Sequence, residues 1–510
     1  MRGDETLPEG WKSARLGELA DVRLGKMLSD KARDVALIHR PYLRNENVRW
    51  GTIDTSDVKT MGFKPEEIER YSVQPGDLLA CEGGEPGRCA IYRGPANALM
   101  YQKALHRVRT GADLSPGFLL YFLRHLAGSG ALAPRIAQTT IQHLPLERFR
   151  EIIVPAPSRA DQDRIVAAIE EHFSYIDAGV AALERALANL KRYRAAVLKA
   201  ACEGKLVPTE AELARREGRA YESADVLLRR ILVERRARWE AAELEKMRAK
   251  GKRVDGDEWK KRYVEPAGVS AEEARELGAL PEGWCWARVA TVGDVVLGRQ
   301  RAPQYLTGKW PRPYLRVANV KDDALDLSDI ETMDFDPAHL AKYRLVDGDI
   351  VVSEGQSPEL VGQSAIYRGT IDGLCFQKTL HRFRSVPPGP SPEFAQIVFR
   401  SHVKSGLFEK LASITTNIAH LTLEKFEAAP FPLPPASEQA RIVVEVDRLL
   451  SIANAVDRAL RCQLARATRL RQGVLRSAFE GQSLRAAGRG GGVNATLAIR
   501  ADDVAMSLPT

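Results

Sequence analysis

His106 in Leu105-His106-Arg107 and His381 in Leu380-His381-Arg382 sit in matching surroundings, and imidazole is the side chain best suited to moving protons near neutral pH. Acid–base or nucleophilic catalysis also needs a carboxylate or nucleophile within reach. None recurs beside either histidine in a triad-like setting, so both are expected to be hydrogen-bonded structural residues. Glu82-Gly83-Gly84 and Glu354-Gly355-Gln356 follow apolar runs, yet neither forms a dinucleotide fingerprint, and no phosphate loop of the GxxxxGKS/T type occurs. Their glycines are expected to make tight turns. Cys81, Cys89, Cys202, Cys285, Cys375 and Cys462 lack CxxC or Cys/His ligand spacing, which argues against a zinc site and against a disulfide framework and fits a reducing cytoplasm. The chemistry-bearing residues thus imply neither catalytic nor metal sites, and the chain is read as no enzyme.

These residues recur because the chain is internally duplicated. Leu7-Pro8-Glu9-Gly10-Trp11 returns as Leu280-Pro281-Glu282-Gly283-Trp284, and Pro41-Tyr42-Leu43-Arg44 as Pro313-Tyr314-Leu315-Arg316. Pro75-Gly76-Asp77-Leu78 is echoed by Asp347-Gly348-Asp349-Ile350, Ala90-Ile91-Tyr92-Arg93-Gly94 by Ala365-Ile366-Tyr367-Arg368-Gly369, and Gln102-Lys103 by Gln377-Lys378. Pro155-Ala156-Pro157 with Gln162 answers Pro432-Leu433-Pro434 with Gln439. So many matches in one order are not chance.

Each copy opens with short segments and closes with a long helical pattern. Asp77-Leu78-Leu79-Ala80 and Ile350-Val351-Val352-Ser353 read as buried strands, whereas 116–126 and 392–403 read as amphipathic helices. The expected class is α+β, with two mixed heads at 1–156 and 280–434. After Pro157 the apolar residues Ile165, Ile169, Phe173, Ile176, Val180, Leu183, Leu187, Leu190 and Val197 fall mostly four and three apart. Ile442, Val446, Leu450, Ala453, Leu460, Leu464, Leu470 and Val474 do the same in the second copy. Such a stripe is buried either on its own head or against another helix. A run projecting roughly 60 Å at the α-helical rise outreaches one small head, which favours antiparallel coiled-coil pairing of 157–206 with 435–484. Between the copies, 207–279 is a charged extension, with 221–250 read as a solvated helix carrying Leu227, Leu228, Ile231 and Leu232; 485–510, with its glycine run, is read as a disordered tail.

At 510 residues, 44% hydrophobic and 28% charged, the chain should bury several ordinary cores. Its formal charge of +8 leans toward polyanionic partners. No apolar run approaches a membrane span, so neither export nor insertion is expected and a cytoplasmic location is.

The paired heads, the Leu-Pro-x-Gly-Trp openings, the Tyr-Arg-Gly and Gln-Lys elements and the Pro-x-Pro…Gln helix entries together resemble the specificity subunits of type I restriction-modification systems, from about Leu7 to Leu484. The charged segment 208–278 departs from the shortest members and resembles an extension of the central helical region. The resemblance implies that each head is a target recognition domain reading half of a split double-stranded DNA sequence. It also implies that the helices form a spacer and a dock for two methylation subunits and, where present, restriction subunits. Those partners would carry S-adenosylmethionine, ATP and magnesium; this chain would hold no cofactor. Two related heads on an antiparallel helix pair would address half-sites on opposite strands. A spacer of roughly 60 Å, set against about 3.4 Å per base pair, would keep the half-sites within two turns of duplex. Because the heads differ, so should the half-sites.

Arginine suits guanine, and asparagine or glutamine suits adenine, in the major groove. Candidate DNA-binding residues are Lys26, Arg44, Asn45, Asn47, Arg49, Arg88, Lys103, Thr139, Thr140 and Gln142 in the first head, and Arg299, Arg301, Arg316, Asn319, Lys321, Gln356, Gln363, Lys378, Thr415, Thr416 and Asn417 in the second. Positions alike in both copies, such as Arg44 with Arg316 or Lys103 with Lys378, should serve scaffold or phosphate contacts, and dissimilar ones, such as Arg88 against Gln363, should discriminate bases. Three rival classes remain: the subunit of a methylation-only or related phage-defence system, a self-contained DNA methyltransferase, and a coiled-coil scaffold whose heads bind protein. The methyltransferase would need a glycine-rich cofactor loop and an Asn-Pro-Pro-aromatic motif, and neither is found.

Overall fold

The computed structural model describes residues 11–28, 37–137, 142–251, 256–415 and 418–480, so the tail expected to be disordered lies outside the described residues. The chain divides into two compact units, one of Met1–Arg185 with Leu460–Thr510, the other of Ala186–Ala459.

In the first unit, Leu78–Cys81 is buried along its whole length and lies inside an antiparallel four-stranded sheet, with Leu105–Thr110 and then Ala20–Leu24 on one side and Cys89–Ile91 on the other. An apolar run without alternation is what a strand covered on both faces requires. A second sheet sets Ile38–Leu43 between antiparallel Lys59–Phe63 and parallel Met100–Tyr101. Lys12–Arg15 pairs with Ile153–Ala156, so the head begins and ends in one ribbon. The helix Pro116–Gly128, opened by a proline where the missing N–H costs nothing, sinks Phe118, Leu119 and Leu123 into the core.

The second unit repeats this plan. Gly293–Leu297, Leu380–Ser385, Ile350–Ser353 and Ser364–Ile366 make its four-stranded sheet, Glu331–Asp334, Pro311–Leu315 and Cys375–Phe376 its second sheet, Cys285–Arg288 with Pro430–Leu433 its closing ribbon, and Pro392–Lys404 its core helix. A further three-stranded sheet joins Gly355–Gln356, Ile418–His420 and Ser413–Thr415.

Structural reasons now attach to the repeated motifs. Asp77, fully buried, receives Arg109 through two hydrogen bonds of 2.7 and 2.8 Å, and Asp349 receives Arg384 through two of 2.6 Å. Fork-to-carboxylate geometry of this kind satisfies a charge that burial would otherwise penalise. A side chain on Gly25 would meet the Gln102 carbonyl oxygen at 2.3 Å, and one on Gly298 the Gln377 oxygen at 2.2 Å, which is why glycine stands opposite each Gln-Lys turn. Gln162 ties its helix to the first head: Nε2 donates to the carbonyls of Asp113 (2.8 Å) and Pro157 (3.0 Å), and Oε1 accepts from the Ser115 N–H (2.7 Å). Gln439 donates to the Pro434 carbonyl at 3.0 Å in the second. Trp284 donates through Nε1 to buried Glu438 at 2.9 Å, and the Glu210 N–H donates to the same carboxylate at 2.8 Å.

The long helices run Arg159–Cys202 and Ala436–Phe479, 44 residues each, and they pair. In the first unit Ile169 and Phe173 share a buried cluster with Val474, Leu475 and Ala478, and Asp177 pairs with Arg471. In the second, Arg194 donates to Asn454 Oδ1 at 2.8 Å and lies 3.7 Å from Asp457. Partner numbers on one helix fall as those on the other rise, so the pairing is antiparallel. Ile169, Val446 and Leu450 are buried, and Ile176, Val180, Leu183, Leu187, Leu190, Leu460, Leu464 and Leu470 are half-buried.

Each helix also packs at both ends on a head. Ile165 and Val166, from the start of the first helix, and Phe479, from the end of the second, close the first head's core. Val197, Leu198 and Ala201 join Ile442, Val446 and Leu450 in the core of the second.

One expectation is corrected. The charged helix, observed over Ala224–Ala249, is not merely solvated: Ala224, Leu227 and Ile231 are buried in the second head's core, because its first turns carry an apolar face that the charge density masks.

Candidate nucleic-acid interface

Each head carries the same polar staple beside its second sheet. Asn47 accepts the Arg44 N–H at 2.9 Å and donates from Nδ2 to the carbonyls of Asp54 and Asp57, both at 2.9 Å. Asn319 accepts the Arg316 N–H at 2.8 Å and donates to the carbonyls of Asp326 and Asp329, both at 2.9 Å. Arg44 adds ion pairs with Glu46 (2.6 Å) and Asp57 (2.8 Å), and Arg316 adds them with Asp329 (2.6 Å) and Glu331. Asn47 and Asn319 are buried with their amides fully engaged, so they are withdrawn as base readers; they hold the loop that carries their neighbours.

A second pair of equivalent cations is also consumed internally. Lys26 pairs with Glu67 and lies 4.9 Å from the centre of the Phe63 ring. Arg299 is 6% exposed, donates to the Asp334 carbonyl at 2.8 Å and to Asp336 at 3.1 Å, and rests on the rings of Tyr305, Phe335 and Tyr343. Arg299 is therefore also withdrawn: a buried guanidinium sandwiched by aromatic rings cannot reach a base edge. Arg88 donates to the Asn45 carbonyl at 2.9 Å and to Glu85 at 3.1 Å, while Glu85 also accepts Trp50 Nε1 at 2.7 Å.

What remains on the surface is shared only in part: Arg49 stands where the second head has Lys321, and Lys103 where it has Lys378. Arg49 and Gln142 are exposed in the first, where Asn45 and Lys103 are half-buried. In the second, Arg301, Lys321, Lys378 and Thr415 are exposed, and Gln356 and Gln363 half-buried. Thr139, Thr140, Thr416 and Asn417 lie outside the described residues. Arg44 and Asn45 border a cavity of about 610 Å³ that is also lined by His39, Lys59, Thr60 and Gln102. Those four were missed, although Gln102 stands in a repeated motif; the others lie at the exposed ends of two paired strands, Ile38–Leu43 and Lys59–Phe63.

The matched histidines and three of the cysteines are held in their neutral forms by burial. His106 Nε2 faces the Leu144 carbonyl at 2.8 Å over the Phe149 ring, and His381 Nε2 faces the Leu421 carbonyl at 2.7 Å over Phe426. Burial holds both down to about 4, so they stay neutral. Burial pushes the thiols of Cys202, Cys285 and Cys375 up to about 12, which leaves them protonated and poor nucleophiles. Among the described residues, no helix is long and apolar enough to cross a membrane.

Residues 8–183 match the family model of the type I restriction modification DNA specificity domain. The type I restriction enzyme EcoKI specificity subunit of Escherichia coli K12 is 22% identical, over 93% of this chain and 90% of its own length. The StySPI specificity subunit of Salmonella potsdam is 23% identical over the same shares. A chain solved in work on complex assembly and conformational transition of the type I R-M system superposes with a TM-score of 0.56 at 18% identity, covering 93% of this chain and 99% of that one, which shows a common fold. The resemblance carried by the repeated motifs extends along nearly the whole chain.

Proposed function

We infer that this chain, a relative of type I restriction-modification specificity subunits, reads a bipartite, asymmetric DNA target for such a system and leaves methylation and cleavage to other subunits. The observation that carries this reading is the contrast inside the duplication. The polar staples of Arg44–Asn47 and Arg316–Asn319 are the same in both heads, while some of the donors and acceptors around them differ, Arg88 standing against Gln363 and Gln142 against Ala419. Shared scaffold with divergent surface is what two readers of two different half-sites need.

The long helices supply the dock. Tyr175 on the first and Ile452 on the second are 70% and 50% exposed, and each stands two residues beyond a buried pairing residue, Phe173 and Leu450. Large apolar side chains at equivalent exposed steps fit two copies of one methylation subunit. S-adenosylmethionine, ATP and magnesium then belong to the partner subunits.

The test is a head exchange. The chain is expressed with its methylation subunits, the first head is replaced by that of a relative with a different target, and methylated adenines are mapped. One half of the motif should change while the other half and its orientation persist. Methylation of an unaltered motif, or methyl transfer by the purified chain alone, would overturn the reading.

A further inference from the structure

Away from the reading loops, the second unit holds a cavity of about 460 Å³ where the charged extension meets the edge of the four-stranded sheet. Three guanidinium groups face it: Arg235 and Arg238 from the helix Ala224–Ala249, and Arg262 from the turn Glu258–Arg262. Trp239 and Tyr263 line it, their ring centres 5.4 Å apart and their planes tilted by 55°, and Trp259 stacks on Trp239 at 6.0 Å. The carboxylate in the lining, Asp294, is taken by Arg235 at 2.9 Å, and Arg262 reaches Glu243 at 3.1 Å.

Two donors of the lining are left over. Arg235 Nη1 and the Tyr263 hydroxyl are shielded from solvent and meet no hydrogen-bond partner among the described residues. A buried donor without an acceptor costs about 1–3 kcal/mol, more when charged, so a turn of these side chains toward an acceptor-rich anion in the cavity would be favoured. Guanidinium forks suit phosphate oxygens, and an indole face suits a stacked base. A cavity of this size lies within the range of small-ligand sites, roughly 300–1,000 Å³.

We propose that this seam binds a nucleoside phosphate, the phosphate held by Arg235 and Arg238 and the base laid on Trp239. The proposal does not rest on the DNA-reading assignment, because none of these residues belongs to the reading loops.

The full-length chain, purified with its copurifying subunits, is titrated with AMP by calorimetry and by tryptophan fluorescence. Adenosine and inorganic phosphate serve as half-ligands. Saturable AMP binding is expected, with each half-ligand at least ten-fold weaker, and at least ten-fold weakening by Trp239→Leu. Since that change could loosen the aromatic cluster, Arg238→Glu, at an exposed position, is the second variant; it should weaken AMP binding as much without moving the melting temperature. Competition by a single-stranded oligonucleotide assigns the phosphate to a polynucleotide, and its absence assigns it to a free nucleotide; either result supports the site. No saturable AMP binding, or binding that survives both substitutions, overturns it.

Discussion

Replacing Phe479 by alanine removes the last aromatic ring of the second long helix, and the damage should appear in the first head. Its ring lies 5.3 Å from that of Phe118, 5.5 Å from Phe122 and 5.6 Å from His125, all on the helix Pro116–Gly128. A fully buried Phe→Ala change costs about 3–5 kcal/mol. Phe479 is half-buried, and scaling by burial leaves about 2 kcal/mol. At 1.4 kcal/mol per decade, that is about a 30-fold loss in the equilibrium protecting the first head. Hydrogen exchange followed by mass spectrometry reads it directly: amides of Pro116–Gly128 should exchange about 30-fold faster, those of the equivalent helix Pro392–Lys404 should not change, and Phe479→Leu should restore most of the protection. Unchanged exchange in Pro116–Gly128, or equal acceleration in both helices, would refute the claim that the far end of the duplicated chain completes the first core.

Acid should weaken both units, since burial also holds His125 of the first unit below its ordinary range. His381 and His402, like His106 in the first unit, are held by burial to about 4 against an ordinary 6.5. The unfolded chain therefore takes up protons first, and stability is lost as pH falls from 6.5 toward 4. The loss is about 2 kcal/mol per histidine at pH 5, and calorimetric melting at pH 7 and pH 5 measures it. Gly25→Ala sets a methyl group against the Gln102 carbonyl, and the clash should lower stability by about 1–3 kcal/mol in a urea titration. Asn47→Ala deletes three hydrogen bonds of the buried staple and should destabilise the first head by about 2–3 kcal/mol. Arg49→Ala, at an exposed position, should leave melting unchanged yet weaken DNA binding and reduce its salt slope by about one, as read by anisotropy at several salt concentrations.

The duplication, the α+β class, the all-apolar central strands and the two long helices were legible in the residues themselves. Each rests on local periodicity or on identity at a fixed offset, and both are properties of order along the chain. The antiparallel pairing was legible for the same reason, since a narrow apolar stripe longer than any head can cover requires a second helix. The fate of individual side chains was not. Arg299 and Arg301 are two residues apart and chemically alike, yet one is sandwiched among three aromatic rings and the other is 53% exposed. Asn45 and Asn47 divide in the same way, and Leu227 lies buried within a segment whose composition speaks of solvent. Burial is set by neighbours from distant parts of the chain, as when Phe479 completes a core begun at Leu16. Residue types and spacings name what could be read, docked or packed; only the tertiary fold decides which of those groups the protein has already used on itself.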